Sequence, residues 1–305
     1  MVSARTGGAP GPVTPRMKAA YPGLAAIADR RWGARRTPTG TRARPVCPTR
    51  TREVLVSSDR IALVTGANQG MGKQVAKELT ADGVTVFVGS RDAARGEAAA
   101  AEIGAGATPL QLDVTDPESV ASAAQRLREE AGRLDLLVNN AAVSTTRQGV
   151  DMAELRSFAA ASVVPLEEVR AVWEVNVFGP VAVYQAVLPL LRLSSDARIV
   201  NVTSALGSLT TVTDPTLPYH ALFEPVYAAS KAALNAVTVA MMAELRDSGV
   251  KVNLVSPGFA NTSLVNFEGT ESVEDAAREI VRVARLGPEG PSGTFTTWEG
   301  ANLPW

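Results

Sequence analysis

Tyr227 and Lys231 lie four residues apart in Val226-Tyr227-Ala228-Ala229-Ser230-Lys231. At that spacing a phenol and an ammonium share one face of a helix. A free tyrosine titrates near pH ~10 and is a poor proton donor or acceptor at neutrality. A lysine held one turn away favours the phenolate and brings proton transfer toward the working pH. The flanking residues are Ala-rich and apolar, so the helix itself reads as core-packing. On spacing alone the pair is either reactive or an interfacial tyrosine beside a solvated lysine.

Other residues offer complementary chemistry. Thr65-Gly66-Ala67-Asn68-Gln69-Gly70-Met71-Gly72 stands between an apolar run and a helical stretch. Gly66 permits a tight turn, and Gly70 and Gly72 let backbone approach a pyrophosphate at a helix N-terminus, so this turn predicts dinucleotide binding. About 19 residues beyond Gly72, a second apolar run ends in Ser90-Arg91-Asp92. An acid there would bind a ribose 2′-hydroxyl and select NAD. Ser90 and Arg91 instead suit a 2′-phosphate, so NADPH/NADP is expected over NAD, with Lys73 as a further cation. Asp92 reads as the N-cap of the following helix.

Several reaction classes are excluded. The chain has one cysteine, Cys47, and one histidine, His220. No internal disulfide can form, which fits a reducing cytoplasm as the expected location. Zinc sites built from several Cys and His ligands are ruled out, and no metal site is expected. A Ser-His-Asp hydrolase would depend on His220, and no Gly-x-Ser-x-Gly elbow accompanies it. His220 reads as an ordinary loop histidine. Tyr, Ser, Lys or carboxylates must therefore carry any chemistry.

The elements that position these residues alternate regularly. Residues 1–58 are rich in Pro, Gly, Thr and Arg, and read as a disordered basic leader; a mis-assigned translation start is its suggested origin. Residues 1–60 carry about 12 Lys/Arg against about 3 acids, leaving the remainder acidic, with no basic excess to suggest nucleic acid. Strands are predicted at residues 61–65, 84–88, 109–112, 134–138, 198–202, 250–255 and 293–297. Helices are predicted near 71–81, 92–103, from Asp116-Pro117, over 165–193 with bends at Gly179-Pro180 and Pro189, around Tyr227, and over 272–285. Apolar strands alternating with helices predict a doubly wound parallel α/β domain of about seven strands over residues 59–305. No apolar run reaches the ~18 residues of a membrane span.

Taken together, these residues resemble the short-chain dehydrogenase/reductase family, a Rossmann-fold family, from about Ile61 onward. The glycine turn is similar to its Thr-Gly-x-x-x-Gly-x-Gly. Asp113-Val114 is similar to its adenine-contacting pair. Asn139-Asn140-Ala141-Ala142 is similar to its Asn-Asn-Ala-Gly, with Ala142 replacing the glycine. Asn176 falls on its mid-helix asparagine, Ser204 on its serine, and Tyr227 and Lys231 on Tyr-x-x-x-Lys. Pro257-Gly258-Phe259-Ala260-Asn261-Thr262 is similar to its Pro-Gly-x-x-x-Thr cofactor loop. The Asn68-containing turn and the insert over residues 209–224 resemble the carbonyl-reductase-like branch.

The resemblance implies that Gly66, Asn68, Gln69, Gly70, Met71, Gly72, Ser90, Arg91, Asp113, Val114, Asn139, Asn140, Ala141, Pro257, Gly258 and Thr262, with Tyr227 and Lys231, bind the cofactor. It further implies that Asn176 holds a water linking Lys231 to solvent. With the cofactor across the sheet's carboxyl edge, Tyr227 becomes the proton donor and Ser204 an orienting donor to a carbonyl oxygen. Leu209, Leu217, Tyr219, Phe223, Phe259, Leu264 and Phe267 are expected to line the substrate site and to favour an uncharged, hydrophobic ketone, aldehyde or alcohol. A dinucleotide sensor without catalysis, and a tailoring ketoreductase or epimerase, stand as alternatives. An insert just before the Tyr227 helix favours a monomer or homodimer over a tetramer.

Overall fold

Short apolar runs without polar alternation form strands buried on both faces, and here they make one parallel sheet. The computed structural model describes residues 60–147 and 157–305; the expected leader lies outside the described residues. The strands are β1 (Ile61–Val64), β2 (Thr85–Ser90), β3 (Ala107–Gln111), β4 (Leu136–Asn139), β5 (Arg198–Val202), β6 (Lys251–Ser256) and β7 (Phe295–Thr297). Their order is β3-β2-β1-β4-β5-β6-β7, every pairing parallel. The chain winds outward from β1 and returns to β4 on its other side, so the crevice between β1 and β4 is the topological switch point.

The connecting helices are α1 (Gly70–Ala81), α2 (Ala93–Ile103), α3 (Pro117–Glu130), α4 (Leu166–Trp173), α5 (Gly179–Leu191), α6 (Tyr227–Glu244) and α7 (Val273–Ala284). One face of the sheet is covered by α1, α2 and α7 through Val75, Leu79, Ala99, Ile280 and Val281. The other is covered by α3, α5 and α6 through Leu127, Val183, Val187, Leu190 and Met241. Asp116 caps α3 with Pro117 in its first turn, and the Asp92 carboxylate accepts the Arg95 N–H at the start of α2, both as the sequence predicts.

The long predicted helix is segmented, but not by its prolines alone. A π-helical turn, Glu174–Phe178, joins α4 to α5 and carries Asn176. By length and composition the run Leu166–Leu191 would suffice to cross a membrane, and half of its most apolar window is buried inside the protein. The insert folds as a helical turn, Leu209–Val212, and a 3-10 turn, Pro218–Leu222, leading into α6.

Candidate active site

Two cavities open side by side along the carboxyl edge. The larger, about 970 Å3, lies over the β1–β4 switch point and is lined by Gly66, Asn68, Gln69, Gly70, Met71 and Gly72. Ser90, Arg91, Asp113, Val114, Asn140, Ala141 and Thr262, all expected cofactor residues, also face it. Gly66 (φ 62°) and Gly70 (φ 55°) adopt left-handed backbone, open to glycine at little steric cost. A Cβ on Gly72 would overlap Asn140 Nδ2 and come within 2.5 Å of the Gly66 carbonyl oxygen. The start of α1 has no side-chain cap, so its first N–H groups and positive dipole end are left for an anion. The cleft thus fits a dinucleotide pyrophosphate on its own geometry.

Thr65 and Asn140 hold the two edges of this cleft together. Thr65 Oγ1 accepts hydrogen bonds from the N–H groups of Asn140 and Ala141, each 3.0 Å, while Asn140 Nδ2 donates to the carbonyls of Thr65 and Gly66. Arg91 is exposed at the far end, above buried Ser90, whose hydroxyl donates to the Asp92 carbonyl. Arg95, one helical turn along α2, faces the same end, a position that no motif in the sequence marks. Lys73 does not line the cleft: its ammonium is engaged by Glu102 on α2. Asn139 is also absent from the walls; it is buried and donates to Asn201 Oδ1 at 2.8 Å, tying β4 to β5.

The smaller cavity, about 450 Å3, adjoins the first, sharing Met71, Ser144, Thr145, Thr262 and Leu264. Ser204, at the end of β5, and Tyr227, the first residue of α6, are on its wall, as are Pro257 and Gly258. Of the expected substrate-lining residues, Tyr219, Phe259 and Leu264 face it; Leu209, Leu217, Phe223 and Phe267 do not. Leu209, Phe223 and Phe267 point to solvent instead. Phe158, Leu222, Val226 and Trp298 add to the mostly apolar lining, which also carries Glu168, Glu224, Glu268 and Glu271. His220 is exposed with Nδ1 2.8 Å from the Val212 carbonyl, an ordinary loop contact.

Lys231 is buried, its Nζ donating to the Val202 carbonyl at 3.0 Å and lying 5.7 Å from the Tyr227 ring centre. Burial pushes this amine down to about 7. Burial pushes the Tyr227 phenol up to about 12; the Ser204 hydrogen bond opposes the rise and the Glu224 charge adds to it. The expected lowering of the tyrosine by its lysine is therefore not what this arrangement produces. An amine that sheds its own charge near neutrality exerts little field on the phenol, and desolvation dominates both groups.

Asn176 is held by its side chain. Its Oδ1 accepts from the Val143 N–H at 2.9 Å, and its Nδ2 donates to the Val143 carbonyl and to Ser230 Oγ. It pins the segment after β4 to α6. Glu168 on α4 holds the next part of that segment, accepting the Thr145 hydroxyl and the Thr146 N–H and hydroxyl. Burial works to raise the Glu168 carboxyl, but these hydrogen bonds outweigh it and the net shift is downward.

Comparison with known proteins agrees with this architecture. The chain is 37% identical over 236 residues to the short-chain dehydrogenase anuI of Penicillium roqueforti, covering 74% of this chain and 89% of that one. It is 31% identical to the (-)-isopiperitenone reductase of Mentha piperita, covering 77% and 95%. Its fold matches the NADPH-bound carbonyl reductase from chicken fatty liver with a TM-score of 0.67 at 26% identity, over 81% of this chain and 99% of that one. Residues 60–272 match the short chain dehydrogenase family, and the chain belongs to it, as an oxidoreductase of the short-chain dehydrogenase/reductase family.

Proposed function

We propose that this oxidoreductase is an NADPH-dependent reductase of a hydrophobic ketone or aldehyde, with Tyr227 as the proton donor. One observation carries the reading: the Ser204 and Tyr227 side chains share the wall of an apolar cavity that opens directly into the dinucleotide-fitting cleft. When bound, the cofactor supplies the hydride. Everything else falls to the chain's own residues.

The glycine turn and the start of α1 receive the pyrophosphate, and Asp113 and Val114 flank the adenine end. Arg91, with Arg95 beside it, receives the 2′-phosphate. The apolar walls exclude water and seat the substrate with its carbonyl oxygen between Ser204 and Tyr227. Ser204 orients that oxygen, and the phenol, which keeps its proton at neutral pH, donates it as negative charge develops. Lys231, whose amine titrates near neutrality, is placed to return a proton to the phenolate, and the reverse sequence oxidises an alcohol. The carbonyl and reductase names of similar proteins support the substrate class. The insert ahead of α6 favours a monomer or homodimer, which size-exclusion chromatography tests.

The deciding experiment incubates the protein and NADPH with a panel of cyclic ketones, aryl ketones and aldehydes, following nicotinamide absorbance. Turnover of at least one member is expected. Tight NADPH binding with no turnover across the panel would sink the reading.

A further inference from the structure

Ser204 leaves β5 into a tight 3-10 turn, Ala205–Gly207, that lies against the helix carrying Tyr227. The Ser204 hydroxyl oxygen accepts the Leu206 N–H of that turn at 3.2 Å. This bond occupies one lone pair and leaves the hydroxyl proton free to donate elsewhere. The direction in which Ser204 can donate therefore depends on the shape and seating of the turn.

One side chain of α6 grips the chain on both sides of the serine. Asn235 Oδ1 accepts the Thr203 hydroxyl at 2.6 Å, and Asn235 Nδ2 donates to the Gly207 carbonyl at 3.0 Å. Asn235 stands four residues beyond Lys231 and eight beyond Tyr227, and it is buried together with Thr203 and Gly207. The approach is close: a Cβ on Gly207 would stand 2.8 Å from the Lys231 carbonyl carbon and 2.9 Å from its oxygen. Ser256 also holds the turn, accepting the Ala205 N–H at 2.8 Å, but it ties the turn to β6 and not to the tyrosine helix.

Resting on the reading of Ser204 and Tyr227 as the pair that meets the carbonyl oxygen, we propose that Asn235 is a positioning residue for Ser204. It fixes the serine hydroxyl relative to Tyr227 by fastening the residue before it and the turn after it to the helix that begins with the tyrosine. Loss of both bonds frees the turn to shift along α6. A misplacement of about 1 Å can cost about 10²-fold where two donors must converge on one oxygen.

The test is a double-mutant cycle on the rate of hydride transfer in single turnovers, with saturating NADPH and a ketone that the parent reduces. Asn235→Leu keeps bulk but neither bond, and Thr203→Val removes only the hydroxyl; each is made in the parent and in Ser204→Ala. In the parent, Asn235→Leu is expected to slow the step about tenfold or more and Thr203→Val about threefold or more, with NADPH affinity within about threefold. In Ser204→Ala no hydroxyl remains to be aligned, and each substitution should change the rate less than about twofold. Equal factors in the two backgrounds overturn the proposal, since Asn235 then acts on the fold at large. An unchanged rate in the parent overturns it too. If Asn235→Leu does not fold, the Thr203→Val cycle decides on the same terms. A parental rate in Ser204→Ala strikes the reading of the serine itself, and the proposal with it, whereas equal factors beside a slow Ser204→Ala strike the proposal alone.

Discussion

Lys231 Nζ lies 5.7 Å from the centre of the Tyr227 ring and 3.0 Å from the Val202 carbonyl oxygen, one turn along the same helix. In this arrangement the amine is pushed down to about 7 and the phenol up to about 12, both chiefly by loss of water. Near neutral pH the phenol therefore keeps its proton, while the amine stands close to its own midpoint.

This geometry makes Tyr227→Phe the sharpest probe of catalysis. Removing one hydroxyl from the cavity wall leaves the cleft residues untouched, so kcat for carbonyl reduction should fall about 10²–10⁴-fold while NADPH affinity stays within about threefold. Steady-state kinetics and a fluorescence titration of NADPH check the two halves separately. Retained turnover would remove Tyr227 from the proton-donor role.

The buried lysine should be visible in the pH dependence of stability. Its folded pKa is depressed, so between about pH 7 and the unfolded value near 10.5 the unfolded chain binds more protons than the native one. Stability from this group therefore rises with pH across that window and is flat below it. Relative to Lys231→Met, the parent should gain on the order of a few kcal/mol between pH 7 and 10. Tyr227 works in the opposite sense above its ordinary value of 10.0, because the native phenol keeps a proton the unfolded chain loses. Denaturant melts of both proteins across the range measure the difference, and parallel curves would contradict it.

Arg91 and Arg95 should set cofactor choice. Each places an exposed guanidinium at the end of the cleft where Ser90 closes β2. Arg91→Ala should weaken NADPH by about tenfold, the scale of one hydrogen bond to a charged group, and leave NADH nearly unchanged. The double variant with Arg95→Ala should widen the gap. Equal losses for both cofactors would mean that neither arginine reads the 2′-phosphate.

Gly72 tolerates no side chain. A methyl group there would meet Asn140 Nδ2 and the Gly66 carbonyl at distances no real Cβ adopts, and both belong to the backbone clamp of the phosphate turn. Gly72→Ala should cost about 1–3 kcal/mol of stability and lower NADPH affinity together. A variant with normal melting temperature and normal affinity would show that the turn yields to a side chain.

Much of the molecule is legible from residue order. The sheet follows from short, Val-, Ile- and Leu-rich runs at 61–65, 198–202 and 250–255, too short for helices and regularly alternating with longer helical stretches. Spacing identifies the glycine turn and the Tyr227–Lys231 pair, the family resemblance adds Ser204, and local hydrogen bonding that sequence neighbours can complete identifies the Asp92 and Asp116 caps. Asn139 and Lys73 depart from their expected places because every motif position looks equally exposed to the cofactor in one dimension. Burial against Asn201 and an ion pair with Glu102 take them away. The apolar insert and the loop after Thr262 mislead for the same reason: Leu209, Phe223 and Phe267 have the composition of a binding wall but face solvent.

The sequence by itself determined the fold class and the phosphate turn, because local backbone preferences and short-range spacing suffice for those, and its resemblance to the family pointed to the four residues around which reduction is proposed. Tertiary structure alone decided the electrostatics. Desolvation of Tyr227 and Lys231 depends on what packs around them. The roles of Glu168, Glu224 and Asn176 depend on which N–H groups and hydroxyls their side chains reach in the folded chain. A carboxylate three residues before a tyrosine says nothing until the helix begins between them; then one glutamate accepts three N–H groups of the helix's first turn.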